Sequence, residues 1–379
     1  MELAKYKLGD IVTLLNGRAY LMPELQDSGK YRILRVGNLS GGNDSWYYSD
    51  MELDENKYCE NGDLLYAWAC NFGPHIWREE KVIYHYHIWK LVENKEKVDR
   101  TYLYYYLLHQ TPFYLGGVNG ATMVHITKKN MEKKTVYIPS SLNVQHRIAS
   151  ILSTYDSLIE NNTKRIRLLE KMAENLYKEW FVRFRFPGHE NVEMENGLPK
   201  GWKRGSLSDV CEFKRGKNIT SSEMQEGNVP VISAGLEPSG YHSCSNVRGV
   251  NVTMSSSGAN AGYIAIHYSD IWAADCSYIE ESTTGNIYYV YELLNNIRTV
   301  INNFQRGAAQ PHVYPKDVNR IKLILPSKEL MLKANGRLEI MHKEIYNLQK
   351  QNSLLARQRD LLLPRLMSGK LEVKEELLE

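Results

Sequence analysis

Cysteine is scarce in this chain. There are five, Cys59, Cys70, Cys211, Cys244 and Cys276, and no two share a Cys-x-x-Cys spacing. That usage leaves neither a disulfide framework nor a cysteine zinc site, and it fits a reducing compartment. No apolar run approaches the length of a membrane span, and the N-terminus shows no signal-peptide pattern, so a cytoplasmic protein with no membrane partner is expected. Charge of one sign is also lacking. The formal net charge is +3, so any surface for a polyanion must be local. Pro-Pro does not occur, which removes an Asn-Pro-Pro-Tyr-like methyl-transfer motif. There is no Gly-x-x-x-x-Gly-Lys-Ser/Thr phosphate loop and no Pro-Asp…Glu-x-Lys nuclease cluster. A non-catalytic chain with no resident metal or cofactor is the expectation. Phenylalanine is rare at 7 residues against 26 tyrosines, a balance compatible with wet, polar interfaces.

What the chain does have is a long seam. Ile148, Leu152, Tyr155, Ile159, Asn162, Ile166, Leu169, Ala173 and Leu176 alternate steps of four and three, as in a coiled coil. Charged residues fill the positions between them, as a solvated face should. Pro139 precedes this helix, Ser140, Ser141 and Asn143 are candidate caps, and Pro187-Gly188 follows it. Near the C-terminus Met341, Ile345, Leu348, Asn352, Leu355, Arg359 and Leu362 repeat the alternation, with Arg359 a weak member. Pro364 is expected to end or kink this second helix near Leu363. Two matched seams in one chain most simply pack on each other, antiparallel. Asn162 and Asn352 then either fix register at a cost in stability or sit at a wet seam edge.

The segments before each helix also match. Gly120, Lys129 and Pro139 recur 187 residues later as Gly307, Lys316 and Pro326, and so does His125 as His312. Near the start of each half the spacing is 199, relating Leu8 to Leu207, Asp10 to Asp209 and Gly17 to Gly216. Both segments show short β-rich runs, such as Tyr31–Val36, Asp63–Trp68 and Lys81–Leu91, broken by Gly, Asn and Asp, and residues 101–115 read as a short helix. The expected fold is α+β with two pseudo-repeats, each a mixed α/β globule followed by a long helix, the helices forming an antiparallel coiled coil. The boundaries are a globule at 1–140, a helix at 141–186, a linker at 187–205, a second globule at 206–326, a second helix at 327–369 and a tail at 370–379. Such a strut would hold two heads a set distance apart. B-DNA presents the same groove about every 34–36 Å, so two heads suit two half-sites.

At this point the residues resemble a family. Arg359-Asp-Leu-Leu-Leu-Pro-Arg-Leu-Met-Ser-Gly-Lys-Leu371 is similar to the C-terminal signature of the DNA specificity subunit of type I restriction–modification systems. Gln145-His-Arg-Ile148 and Leu176-Tyr-Lys-Glu-Trp-Phe-Val-Arg-Phe184 look like the two ends of its central helix, and Leu198-Pro-Lys-Gly-Trp-Lys203 resembles the opening of a target-recognition domain. The N-terminus departs from the pattern, beginning near Tyr6-Lys-Leu-Gly-Asp10 without the Leu-Pro-x-Gly-Trp entry. The resemblance implies a subunit that chooses a bipartite double-stranded DNA sequence and docks two modification methyltransferase subunits. Restriction/translocase subunits would join that core. S-adenosylmethionine, ATP and Mg would belong to those partners. A type II-like restriction enzyme with the same specificity architecture, and a coiled-coil adaptor with two non-DNA modules, are the alternatives.

Candidate DNA contacts follow from short polar or cationic side chains on loops. They are Arg18 and Lys217, each after a glycine at the 199 spacing; Asn71, Ser257 and Asn260 in matched Gly/Ser/Asn loops; and Asn119, Gln305, Arg306 and Gln310. Each is equally readable as a solvated surface residue. His85 and His87, at i and i+2, would share one strand face, and His125 and His312 suit packing or turn-fixing. Trp180, Phe181 and Phe184 either anchor a methyltransferase subunit or pack on the second globule.

Overall fold

The computed structural model describes residues 2–39, 45–115, 126–307 and 310–373. The chain divides into two compact units, residues 1–160 with 353–379 and residues 161–352. In the first, β1 (Leu3–Lys7) pairs antiparallel with β10 (Thr135–Pro139). A four-stranded antiparallel sheet has the order β2 (Val12–Asn16), β9 (Ile88–Glu93), β6 (Leu64–Ala67), β7 (Gly73–Ile76). A second sheet runs β4 (Tyr47–Ser49), β3 (Tyr31–Leu34), β8 (Val82–Tyr84), β5 (Tyr58–Cys59), with β3 and β8 parallel. Alternation along β9 sends Trp89 and Leu91 into one core with Leu14, Leu64 and Tyr66, and Ile88 into another with Leu65, Ala67 and Trp77. The helix α1 (Arg100–Leu115) covers the first core with Tyr102, Leu103, Tyr106 and Leu107.

The second unit repeats this order. Strands β11 (Lys203–Ser206) and β19 (Lys322–Leu325) pair as β1 and β10 do. The four-stranded sheet runs β12 (Lys214–Arg215), β18 (Cys276–Glu280), β15 (Asn251–Ser255), β16 (Ile264–His267). The other runs β14 (Gly240–His242), β13 (Val229–Ile232), β17 (Trp272–Ala273), again with one parallel pair. The helix α3 (Ile287–Asn296) takes the place of α1, with Tyr289, Val290 and Leu294 buried where Tyr102, Leu103 and Leu107 stand 187 residues earlier. Both sequence spacings reappear as hydrogen bonds. Lys7 N donates to Asp10 and Ser206 N to Asp209; Leu8 N donates to Lys134 O and Leu207 N to Ile321 O. The expected duplication is therefore present, the described second unit lacking only a counterpart of β5.

The long helices α2 (Leu142–Tyr177) and α4 (Lys328–Met367) have 36 and 40 residues, roughly 54 and 60 Å at about 1.5 Å per residue. They pack antiparallel. In the second unit Arg165 bonds Glu344 at 2.7 Å while Asn162 Nδ2 donates to Gln351 Oε1 at 3.4 Å, so one number rises as the other falls. Seam residues Leu152, Ala173, Ile345 and Leu348 are buried, and Ile159, Ile166, Leu169 and Leu355 half-buried. The two asparagines pair with neighbours rather than with each other: Asn352 Nδ2 donates to Thr163 Oγ1 at 3.3 Å. Arg359, the weak seam member, forms an ion pair with Asp156 in the first unit.

One helix expectation is corrected. Pro364 does not end α4 near Leu363; the helix continues to Met367. Leu363, Leu366 and Met367 are buried in the first core, and that burial outweighs one lost backbone bond so near the helix end. At the other end Ser141 caps α2, its hydroxyl accepting from Val144 N at 3.5 Å. Buried Gln145 ties α2 to the globule: its amide donates to Lys97 O and Pro139 O and its oxygen accepts from Asp99 N just ahead of α1. Residues 187–205 carry a small hairpin (Met194–Glu195 with Leu198–Pro199), and Trp202 stacks on Phe186 at 5.7 Å.

Candidate nucleic-acid interface

In each unit a glycine brings the end of the first sheet strand against a turn. A Cβ on Gly17 would lie 2.4 Å from His85 O, and one on Gly216 would lie 2.4 Å from Ala274 O, so no side chain fits at either position. The next residue donates back across the gap, Arg18 N to Tyr84 O and Lys217 N to Ala273 O. In both units another strand of the same sheet, β6 or β15, leads into a tight loop containing a left-handed residue, Cys70 at φ 62 or Gly258 at φ +75. Turn and loop together form a rim at one end of each four-stranded sheet.

The second unit gathers most of the candidate residues there. Gly258 N donates to Pro311 O and Val313 N to Ser256 O, stitching the β15 loop to the segment carrying Gln310. Gln305 Nε2 donates to Ala261 O at 2.8 Å, and Asn260 Nδ2 to Ala234 O at 3.5 Å. Ser257 Oγ donates to Asp275 at 2.8 Å. These three side chains are thus engaged in holding the loops. Arg306 is anchored through Asp317 at 2.9 Å, yet its side chain is 64% exposed. Gln310 and Lys217 are exposed, beside exposed Lys214 and Arg215. This is a local basic rim on a nearly neutral chain, as required for phosphate contact. His312 exchanges backbone bonds with Arg306 and stacks on Tyr314.

In the first unit Arg18 pairs with Glu24 at 2.6 Å and lies over the Tyr20 ring, so its charge is already balanced. Asn71 is exposed on the loop. Asn119 and His125 lie outside the described residues. His85 and His87 do not share a strand face: the run Lys81–Leu91 is interrupted by a turn closed by Ile88 N donating to His85 O at 3.0 Å. The close approach of Gly17 is what bends the chain there. Sequence reasoning passed over the aromatic surface this turn makes. Trp68 packs on Tyr86 and edge-on against His87 at 5.0 Å, and its indole N–H donates to Tyr86 O. The interleaved His-Tyr-His was its only signal. The corresponding turn of the second unit is Ala274-Asp275, acidic where the first is aromatic.

Trp180 and Phe181, weighed above as partner anchors, are only 6% and 8% exposed. Phe181 packs on Tyr289 and Trp202, and half-buried Phe184 on Trp202, all within the second unit. That leaves their rings little surface for a partner.

Burial lowers the pKa of two histidines near these sheets to about 4: His85, helped by the charges of His87 and Arg35, and His267, whose Nε2 meets Thr253 Oγ1 at 2.9 Å. A histidine ordinarily near 6.5 binds fewer protons folded than unfolded between pH 6.5 and 4, so its contribution is complete above 6.5 and is lost as pH falls toward 4. His267→Gln is expected to flatten the fall in urea midpoint over that window, removing at most about 3 kcal/mol of the pH dependence. An unchanged slope would show that His267 does not carry it.

Two copies of one β-rich globule, each with a rim of divergent loops and each followed by a long helix, define a tandem recognition protein. The family model described as the type I restriction modification DNA specificity domain matches residues 2–171 and 199–352. The chain belongs to that family. It is 27% identical over 307 residues to the type I restriction enzyme MjaIX specificity subunit of Methanocaldococcus jannaschii, covering 74% of this chain and 71% of the other. It is 26% identical over 230 residues to the MjaVIII specificity subunit of the same organism, covering 60% and 53%. Its fold is similar to the crystal structure of a type I restriction–modification S subunit from M. genitalium, with TM-score 0.66, 20% identity and coverage of 97% and 96%. No helix among the described residues is long and apolar enough to cross a membrane.

Proposed function

We propose that each globule reads one half of an asymmetric, bipartite duplex target through its rim, and that the chain itself catalyses nothing. The observation that carries this is the repeat with its contrast: matching strand order in the four-stranded sheet Val12–Asn16, Ile88–Glu93, Leu64–Ala67, Gly73–Ile76 and its counterpart, but an aromatic His-Tyr-His turn at 85–87 in one unit and Ala274-Asp275 in the other. Equal scaffolds with unequal loops suit unequal half-sites. In the second unit Arg306, Gln310 and Lys217 are the side chains with reach to a duplex. In the first, Asn71, Trp68 and His87 are. Double-stranded DNA is thus the first partner. The helices serve two modification methyltransferase subunits, supported by apolar side chains left outside the seam: Leu168, Met172, Leu332 and Ile340 in the second unit, and Leu158, Leu354 and Leu361 in the first, with Ile340 72% exposed. Restriction/translocase subunits complete the assembly. S-adenosylmethionine, ATP and Mg would act on those partners, in a cytoplasmic complex.

Mapping methylated bases in host DNA with and without this gene tests the reading. One split, asymmetric motif is expected to lose its methylation when the gene is deleted. A methylome that does not change would refute it.

A further inference from the structure

Both units carry the same capped turn, three residues beyond the cation of the rim. In the first unit Leu21 N donates to Glu24 Oε2 at 2.8 Å and Glu24 N to Leu21 O at 2.9 Å, closing a single 3-10 turn, Met22–Glu24. In the second, Thr220 N donates to Glu223 Oε2 at 2.7 Å and Glu223 N to Thr220 O at 3.0 Å. The spacing of 199 that relates Gly17 to Gly216 relates these residues as well. Each turn is also coupled to the cation that follows the glycine. Arg18 bonds both carboxylate oxygens of Glu24, while the bonds from Thr220 and the charge of Lys217 hold the Glu223 carboxyl below its usual range. In the first unit the tie runs on into the rim, because the Arg18 guanidinium lies over the Tyr20 ring, which stacks on His85 at 6.4 Å.

The two turns differ in what they expose. The second unit shows Thr220, Ser221 and Ser222, and the first shows Leu21, Met22 and Pro23 in the same places. Leu21 is 69% and Met22 75% exposed, and no large apolar side chain among the described residues is more exposed than Met22. Both forgo their burial free energy. The fold does not require them, since hydroxyls serve at these places in the second unit. Glu24 and Arg18 fix the backbone beneath the pair, so binding has little left to order. Two like methyltransferase subunits need like surfaces, and this surface is unlike in the two units. A kept backbone with exchanged side chains, bonded to the rim, is instead the property of a reading loop. In the major groove the apolar group on a base edge is the thymine C5 methyl. Hydroxyls, amides and cations gain little from it; Leu and Met side chains bury it.

We infer that Leu21 and Met22 read thymine in the first half-site by packing on a C5 methyl in the major groove. This rests on the reading proposed above, in which the rim of the first unit meets a duplex. With the motif known from methylation mapping, the chain assembled with methyltransferase subunits is titrated against duplexes in which uracil replaces each first-half thymine in turn, on either strand. The replacement removes one methyl and leaves every hydrogen-bonding group in place. At one thymine or more, affinity is expected to fall about fourfold, the worth of one buried methyl group. Leu21→Ser with Met22→Ser should bind the thymine and uracil duplexes equally at that position. An unchanged melting temperature verifies that this variant is folded, and the uracil series on the unaltered protein does not depend on it. A first half-site without an A·T pair, an unaltered protein indifferent to every replacement, or a double variant that keeps the discrimination would overturn the inference. An unchanged methylome refutes the reading itself. A motif recognised by a protein blind to uracil refutes only the role of Leu21 and Met22.

Discussion

Replacing residues 206–326 with the matching segment of another specificity subunit is expected to change one half of the methylated motif and leave the other half intact. Each globule has its own core: Leu14, Leu64, Trp89 and Tyr102 serve the first, and Val252, Met254, Ile279 and Tyr289 the second. Neither core draws residues from the other globule, and the residues outside 206–326 that complete the second core, among them Tyr177, Phe181, Ala334 and Leu338, stay in place for the exchanged segment to pack on. The proposed reading side chains Lys217, Arg306 and Gln310 all fall inside the exchanged stretch. Each lost base contact costs about 1–3 kcal/mol of discrimination, so several together abolish recognition of the old half-site. Sequencing of methylated bases in cells carrying the chimaera reads the result directly. Both halves changing together would show that the two rims do not read independently.

Arg100→Met is expected to destabilise the first unit by about 3 kcal/mol and to lower its melting temperature by about 6–12 °C. Arg100 Nε and Nη2 donate to the two carboxylate oxygens of Glu93 at 3.0 and 2.9 Å, and Nη1 donates to Gly62 O at 2.9 Å. The Glu93 side chain is only 4% exposed, whereas Arg100 retains 38%, which places the loss at the lower end of the range for a broken buried pair. The pair joins the end of β9 to the start of α1. Most of the cost is the carboxylate left buried without a partner, not the loss of the arginine itself. The double variant Arg100→Met with Glu93→Leu should therefore recover most of the stability. Thermal unfolding of the two variants side by side checks this. A double variant as unstable as the single would assign the loss to packing.

Much of the architecture was legible from residue spacing. The seam from Ile148 to Leu176 needed only a four-three alternation, because a narrow apolar stripe on a long helix has no other way to be buried than against another helix. The repeat was legible from Leu8 and Leu207, from Asp10 and Asp209, and from Gly17 and Gly216, because a capping carboxylate and a glycine in close contact tolerate few substitutes. The rims were legible only as candidates. Ser257, Asn260 and Gln305 have the composition of contact residues, but the fold engages their polar atoms in holding loops. Arg18 reads as a phosphate contact until Glu24 is seen beside it.

By itself, the sequence determined that this protein is a doubled unit of globule and long helix, because local patterns report which face of an element must leave water. The tertiary structure alone decided two things. It put His85 and His87 on a turn rather than a strand, and it carried α4 through Pro364. Each depends on a partner far along the chain: Gly17 for the turn, and the first core for Leu366 and Met367. Periodicity records the neighbours a few residues away; charge balance and close approach are settled by residues that only folding brings together.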